Sequence, residues 1–168
     1  DLHYPLRRQR QMCIRDRNDT LLGIEAAFGG DGIDSLLGDA GANTLGGGGG
    51  NDTLDGYHGN DWASYAGATA SVTVNLGVGS SAGAHGIDSL IGIEGVLGGN
   101  AGDSMLGASA NSSMDGGAGN DSLNGLAGND TLIGGEGTDW AIYSEASGSI
   151  TVNPVSYTHL TLPTKRIV

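Results

Sequence analysis

Large apolar side chains recur along much of this chain at every ninth position, and glycine, asparagine and aspartate fill the stretches between them. Each apolar side chain belongs to a unit of the form G-G-x-G-x-D-x-U-x, where U is a large apolar residue. The U positions are Leu36, Leu45, Leu54, Met105, Met114, Leu123 and Leu132. A short period of this kind predicts a repetitive, stacked architecture.

Each unit divides into a six-residue turn, GGxGxD, and a three-residue strand, xUx. Glycine reaches positive φ without steric cost, so it permits a tight turn. The strand places its middle residue on one face and its neighbours on the other. One unit buries too little apolar surface to be stable alone, so stability has to come from stacked neighbours. The pattern therefore predicts an all-β solenoid of parallel strands with a thin core of Leu and Met.

A longer copy divides the chain into two arrays. NDTLLGIEAAFGG from Asn18 aligns with IDSLIGIEGVLGG from Ile87, and DWASYAGATASVTVN from Asp61 aligns with DWAIYSEASGSITVN from Asp139. We therefore expect a first array with a strand-rich closing segment at 18–76 and a second at 87–154. The segment between them, GVGSSAGAHG at 77–86, predicts a flexible linker loop.

The two ends of the chain differ from the rest. One DNA string can encode DLHYPLRRQRQMCIRDR (residues 1–17), and its reverse complement can encode VSYTHLTLPTKRIV (residues 155–168). This symmetry resembles a sequencing-library adapter joined to both ends of a short insert. We interpret both ends as adapter-like and not native, and exclude them from functional reasoning.

This exclusion changes the charge balance. All 7 Lys and Arg residues and the only cysteine, Cys13, lie in the two ends, as do Asp1 and Asp16. The remaining 137 residues keep 17 of the 19 acidic residues and carry no basic side chain. A nucleic-acid partner is not expected, and no apolar run is long enough to span a membrane. Low hydrophobicity with high charge favours a disordered linker, but such a linker would not need regularly spaced apolar residues.

The stacked carboxylates indicate a metal. Stacking brings like charges close together, and nothing in residues 18–154 can neutralise them. Carboxylate and carbonyl oxygens are the ligands that Ca²⁺ prefers, about six to eight of them at roughly 2.3–2.6 Å. Zinc and copper favour His or Cys, and this part of the chain offers only His58 and His85. Magnesium demands stricter octahedral geometry.

The units resemble the RTX, or haemolysin-type, calcium-binding nonapeptide repeat over nearly all of residues 18–154. The resemblance implies a parallel β-roll in which two nonapeptides form one coil and Ca²⁺ lies between turns n and n+2 on the same edge. Carried over to this chain, it pairs Asp34 with Asp52, Asp103 with Asp121, Asp121 with Asp139, Asp61 with Asn43, and Asp130 with Ser112. The last two pairs contain a neutral partner, so we expect weaker or empty sites there.

The resemblance also implies a function. We expect a calcium-dependent folding module of a larger bacterial protein that is exported by a type I secretion system and works outside the cell. No nucleophile or triad context is present, and Glu25 and Glu94 belong to different copies, so we expect no enzymatic activity in this segment. Two alternatives stay open: the non-catalytic C-terminal repeat domain of a secreted protease, lipase or polysaccharide-modifying enzyme, or a calcium-stiffened adhesin spacer. A polysaccharide or cell-surface partner is open as well.

Overall fold

Short strands make up the regular structure of this chain. The computed structural model describes residues 23–83, 85–146 and 151, together with the backbone of Arg166–Ile167, and none of these residues is helical. The first array and the junction contain β1 (Ala26–Phe28), β2 (Ser35–Leu37), β3 (Thr44–Gly46), β4 (Thr53–Asp55), β5 (Trp62–Ser64), β6 (Val72–Asn75) and β7 (Ser80–Gly83). The remaining strands are β8 (Ser89–Ile91), β9 (Gly95–Leu97), β10 (Ser104–Leu106), β11 (Ser113–Asp115), β12 (Ser122–Asn124), β13 (Thr131–Ile133), β14 (Trp140–Ala141) and β15 (Arg166–Ile167).

The strands alternate between two sheets. One sheet has the order β1-β3-β5-β9-β11-β13, and the other has the order β15-β14-β12-β10-β6-β7-β8-β4-β2. Within each array the paired strands are parallel, and the partners are two units apart, as in Leu36 with Leu54 and Met114 with Leu132. Two nonapeptides therefore complete one coil, which confirms the predicted all-β parallel β-roll.

The core is a single layer of side chains between the sheets. Leu45, Leu54, Met105, Met114 and Leu123 are buried, and each is the middle residue of its strand. Leu36 and Leu132 lie near the two ends of the roll, and they are partly buried against the same core. Because one side chain per strand fills the interior, each coil depends on the coils on either side of it for burial.

A hairpin joins the arrays where the sequence predicts a linker loop. Part of the segment 77–86 forms β7, which pairs antiparallel with β6 and contacts β8 on its other side. Small residues such as Ser81 and Ala82 let β7 fit inside the sheet, and Gly79 turns the chain with φ +68°. Pairing both edges of β7 satisfies backbone groups that a loop at this buried position would leave unpaired. The two arrays consequently form one continuous roll.

A buried cluster of polar side chains stabilises this junction. The Asp88 carboxylate accepts hydrogen bonds from the Tyr65 hydroxyl at 2.9 Å, the Ser81 hydroxyl at 2.9 Å and the Asp52 backbone N–H at 3.0 Å. All four residues are buried. Burial raises the pKa of the Tyr65 hydroxyl above its ordinary value, so it remains a donor at neutral pH. The hydroxyl groups of Tyr65 and Ser81 thus provide hydrogen bonds to the Asp88 carboxylate, which lies outside the nonapeptide turns.

We predict that Tyr65→Phe destabilises the calcium-loaded roll by about 1–3 kcal/mol, because Asp88 would lose one of its buried donors. Denaturant unfolding at saturating calcium measures this loss. Tyr57→Phe is the matched control, since Tyr57 is exposed. Equal stability of the two variants would show that the Tyr65 hydroxyl does not hold the junction.

The predicted adapter-like ends lie outside the described residues, apart from the backbone of β15, which pairs parallel with β14. Backbone pairing of two residues requires no particular side chain, so it does not test the origin of this segment. The start of the first array, residues 18–22, and part of the second closing segment also lie outside the described residues. Among the residues that the structure describes, no helix is long and apolar enough to cross a membrane.

Candidate metal centre

The aspartates that end the turns line up along both edges of the roll. In each array, the backbone N–H at the sixth position of one turn donates to the Oδ1 atom at the sixth position two turns later. These hydrogen bonds join Asp34 to Asp52, Asn43 to Asp61, Asp103 to Asp121, Ser112 to Asp130, and Asp121 to Asp139, at 2.9, 2.7, 2.7, 2.9 and 3.1 Å respectively. The structure therefore brings together the same pairs that the sequence suggests. Their role as metal ligands remains a prediction.

The second carboxylate oxygen of four aspartates has no hydrogen-bond partner. Asp52, Asp61, Asp121 and Asp139 are at most 4% exposed, and the Oδ2 atom of each is buried and unpaired. A buried carboxylate oxygen without a donor or cation is strongly unfavourable. These four atoms are consequently the best-defined positions for a bound cation.

The pKa values of two buried aspartates also indicate that these positions favour a bound cation. Burial raises the pKa of the Asp121 carboxyl to about 6. The backbone N–H of Asp103 opposes this increase, and the charges of Asp139 and Asp103 add to it. Burial likewise raises the pKa of Asp52, helped by the charges of Asp88 and Asp34. No side-chain cation lies in residues 18–154 to offset these charges.

The turns fall into two conformations, which the repeat pattern does not distinguish. In the first two turns of each array, the second residue donates its N–H to the side chain at position six, as Gly30 does to Asp34 at 2.9 Å and Gly99 to Asp103 at 2.8 Å. In the later turns the second residue has positive φ, as in Gly48 (87°) and Gly117 (87°). Its N–H then no longer reaches the carboxylate, and Oδ2 is free.

Glycine at the fourth position of the later turns leaves space beside backbone carbonyl groups. Gly50 has φ +133°, and a Cβ atom there would overlap the carbonyl oxygen of Gly32 and lie 3.1 Å from Asp52 Oδ1. Gly119 has φ +128° and faces the carbonyl group of Ala101, 2.7 Å from the position a Cβ would take. At Gly50 and Gly59, a carboxylate oxygen therefore lies close to a carbonyl group of the turn two units earlier.

This arrangement fits calcium. No group of three or more His, Cys, Asp or Glu side chains that could hold a metal occurs among the described residues, so a site here has to combine few carboxylates with backbone carbonyls. Calcium accepts such mixed oxygen ligands and tolerates irregular geometry. Zinc and copper favour nitrogen and sulfur ligands, whereas the buried, unpaired groups here are carboxylate oxygens.

The predicted ligands are not equivalent. Asp103 already accepts two backbone hydrogen bonds, from Val72 and Gly99 at 2.8 Å each. Asp34 and Asn43 accept from residues of their own turns. Asp130 receives the N–H of Ser112, and its side chain is only partly buried. The free carboxylate oxygen belongs to the later turn of a pair, and the earlier turn offers its carbonyl groups.

Two further acidic residues extend the columns. Asp88 accepts the N–H of Asp52, and Glu94 Oε2 accepts the N–H of Asp61 at 3.0 Å. Both follow the array in space although they lie outside the nonapeptide pattern. The tripeptide GIE occurs in both copies, and this repetition is the sequence feature that could have indicated a role for Glu94.

Asparagine at the fifth position forms a second ladder that the sequence did not suggest. Asn111 Oδ1 accepts the N–H of Asn129 at 2.8 Å, and Asn120 Oδ1 accepts that of Thr138 at 2.8 Å. Asn51 does the same for Ile87 at 2.9 Å. These side chains link turns that lie next to each other in the stack, in consecutive coils of the roll.

We predict that protonation partly replaces calcium, so that in chelator the chain gains β structure as the pH falls from about 7.5 to about 5. A carboxyl group whose folded pKa is raised, as in Asp121, stabilises the fold below its unfolded pKa, and this contribution disappears as pH rises through about 6. Far-ultraviolet circular dichroism in chelator at the two pH values measures the change. Asp121→Asn should flatten the dependence, and an equal pH dependence in that variant would rule out Asp121 as the titrating group.

Comparison with known protein families identifies the repeats. The family model for the RTX calcium-binding nonapeptide repeat matches residues 28–63 and 106–141, in four copies. Both matched segments carry the parallel coils and the aligned turns described above. Residues 28–63 and 106–141 are therefore RTX calcium-binding nonapeptide repeats. A comparison with curated proteins finds no match to the chain.

Proposed function

We propose that this chain is a module that folds when it binds calcium, within a larger protein that works outside the cell. The observation that carries the proposal is the set of buried, unpaired Oδ2 atoms on Asp52, Asp61, Asp121 and Asp139. They lie in a segment with no basic side chain, so the counter-charge has to come from solution.

The same observation explains why folding and binding would be linked. Closing the turns brings Asp103, Asp121 and Asp139 into one column and removes them from water. Without a cation, desolvation and repulsion oppose this step, and the chain stays expanded. A bound Ca²⁺ neutralises the carboxylates, so that its binding free energy becomes folding free energy.

Each site would draw on two turns. Asp52, Asp61, Asp121 and Asp139 supply the carboxylate, with Asp130 as a more exposed fifth candidate. Asp34, Asn43, Asp103 and Ser112 fix the preceding turns, whose backbone carbonyl groups face the glycines of the later turns. Asn43 and Ser112 stabilise turns whose backbone carbonyl groups would bind calcium. A neutral side chain at these positions therefore does not by itself remove a site.

Calcium dependence suits a protein that leaves the cell before it folds. Calcium is scarce in the cytosol and abundant outside, so the chain would be expanded during export and would fold on arrival. General properties of the RTX family support export by a type I secretion system from a bacterium. A module of this kind could belong to a secreted enzyme or to an adhesin.

Small-angle X-ray scattering tests the proposal. An unfolded chain of this length has a radius of gyration of about 43 Å and a compact one about 15 Å, and an elongated roll lies between these values. We expect a large decrease when calcium replaces chelator, and no comparable decrease with magnesium. A radius that is unchanged by calcium would refute calcium-dependent folding.

A further inference from the structure

The middle of the roll carries much less charge than the arrays on either side of it. Residues 62–87 contain no Asp, Glu, Lys or Arg, whereas residues 23–60 and residues 98–139 contain six acidic residues each and no basic residue. Closing the coils of an array brings carboxylates together, and their repulsion opposes folding until a cation is bound. The middle of the roll can become compact without this repulsion.

Five strands in this region pair with one another and contribute to both layers of the roll. In one sheet, β7 pairs antiparallel with β6 and with β8, and in the other sheet β5 pairs parallel with β9. We call residues 62–97, which contain these five strands, the central block. The central block therefore has two facing layers of its own, which a single nonapeptide does not have.

The central block also holds most of the buried apolar side chains. Among the residues that the structure describes, eight of the 13 buried core residues belong to it, and they are Ala63, Tyr65, Ala68, Val72, Val74, Leu90, Ile93 and Val96. An array contributes one core side chain per strand, so each of its coils buries little apolar surface without its neighbours. Hydrophobic burial within the block itself therefore stabilises it more than it stabilises a single array coil.

The buried carboxylate of the central block has protein donors on both of its oxygens. Asp88 Oδ2 accepts the hydroxyl hydrogens of Tyr65 and Ser81, and Asp88 Oδ1 accepts the N–H of Asp52. In the arrays, by contrast, the buried Oδ2 atoms of Asp52 and Asp121 have no partner. Two hydroxyl groups thus provide at Asp88 the stabilisation that a cation has to provide at Asp52 and Asp121.

The hairpin of the central block is local in the sequence. Its pairs run from Val72 with Gly83 to Asn75 with Ser80, so the paired residues are 11 to 5 positions apart. Paired residues within an array are 18 positions apart. Because closing a shorter loop costs less conformational entropy, the hairpin can form before the parallel pairs of the arrays.

We propose that the central block is the folding nucleus of the roll. It forms at a lower calcium concentration than the arrays, and the coils of both arrays are then added to its two sides. Leu54 of the first array pairs in register with Leu90 of the block, and Met105 of the second array pairs with Val74. Stacked repeats can propagate from such a folded neighbour. This inference rests on the proposed function in that the arrays fold with calcium.

Hydrogen exchange followed by mass spectrometry tests the proposal on the full chain, in a calcium titration from a chelated start. Peptides that cover β6 and β7 should become protected at a calcium concentration about tenfold or more below that needed for peptides that cover β2 and β12. If all these peptides become protected at the same calcium concentration, or if β2 or β12 is protected before β6 and β7, the inference is wrong.

Two leucine substitutions provide a matched comparison. Leu90 in the block and Leu123 in the second array are both buried at the middle of a strand, and alanine leaves a cavity at either position. Leu90→Ala should raise the calcium midpoint of protection about tenfold or more in β2, β6 and β12 alike, whereas Leu123→Ala should raise it in β12 and leave that of β6 unchanged. Unchanged midpoints of β2 and β12 in Leu90→Ala, or equal shifts of all three strands in Leu123→Ala, would contradict a central nucleus.

Circular dichroism on the same samples distinguishes this inference from the proposed function. If the wild-type chain gains no β signal at any calcium concentration, calcium-dependent folding itself is refuted. If the β signal rises with calcium and β2, β6 and β12 become protected together, the proposed function stands and only the nucleus is refuted.

Discussion

Asp121→Asn should raise the calcium concentration needed for half-maximal folding by about tenfold or more, which corresponds to at least about 1.4 kcal/mol. Asp121 is fully buried, its Oδ2 has no partner, and it lies in the column between Asp103 and Asp139. Asparagine keeps the shape and an oxygen that can accept the N–H of Asp103, but it removes the ligand charge on which calcium affinity depends. Calcium titrations followed by far-ultraviolet circular dichroism measure the shift.

Asp31→Asn is the control for this substitution. It removes the same charge from an exposed turn residue, so it should move the calcium midpoint little. Asp103→Asn should lie between the two, because both oxygens of Asp103 are already held by backbone N–H groups. If Asp31→Asn and Asp121→Asn shifted the midpoint equally, overall charge and not a site at Asp121 would set the calcium dependence.

Gly50→Ala should destabilise the calcium-loaded roll by about 2 kcal/mol or more, whereas Gly32→Ala should change its stability by less than about 1 kcal/mol. Both glycines occupy the fourth position of a turn. Gly50 has φ +133°, and a Cβ atom there would overlap the carbonyl oxygen of Gly32; at Gly32 a Cβ atom would meet no other atom within 4 Å. Denaturant unfolding at saturating calcium measures both effects.

The second array already carries alanine at positions equivalent to Gly32. In the first two turns of the second array the fourth position is already alanine, Ala101 and Ala110, and the later turns have Gly119, Gly128 and Gly137 there. Equal losses from Gly32→Ala and Gly50→Ala would mean that the two turn conformations do not differ as described.

The coil could be predicted from the sequence because it depends mainly on residues within each nonapeptide unit. The glycines and aspartate of each unit determine a turn, and an apolar residue such as Leu54 or Leu123 determines which face of the strand points inward. Because every unit has the same length, stacking aligns the sixth positions of the turns. The pairing of Asp103 with Asp121 requires in addition a coil of two units. The family resemblance supplied the two-unit coil, and the register of the strands confirms it.

The junction and the two turn conformations depend on contacts that the repeat does not encode. Strand β7 exists because it lies between β6 and β8, and its sequence, SSAG, is typical of a loop. Whether a turn leaves its carboxylate oxygen free depends on its place in the array, as the difference between Asp34 and Asp52 shows. A pattern of glycines and aspartates looks the same in both cases.

The most direct test of the account is a far-ultraviolet circular dichroism titration of the chain with calcium from a chelated start, with magnesium as the control. Calcium-dependent folding predicts a cooperative gain of β signal with calcium, while magnesium at the same concentrations leaves the spectrum of the chelated chain unchanged. A full β signal in chelator, or an equal gain with magnesium, would contradict the claim that calcium at the buried aspartates folds the roll.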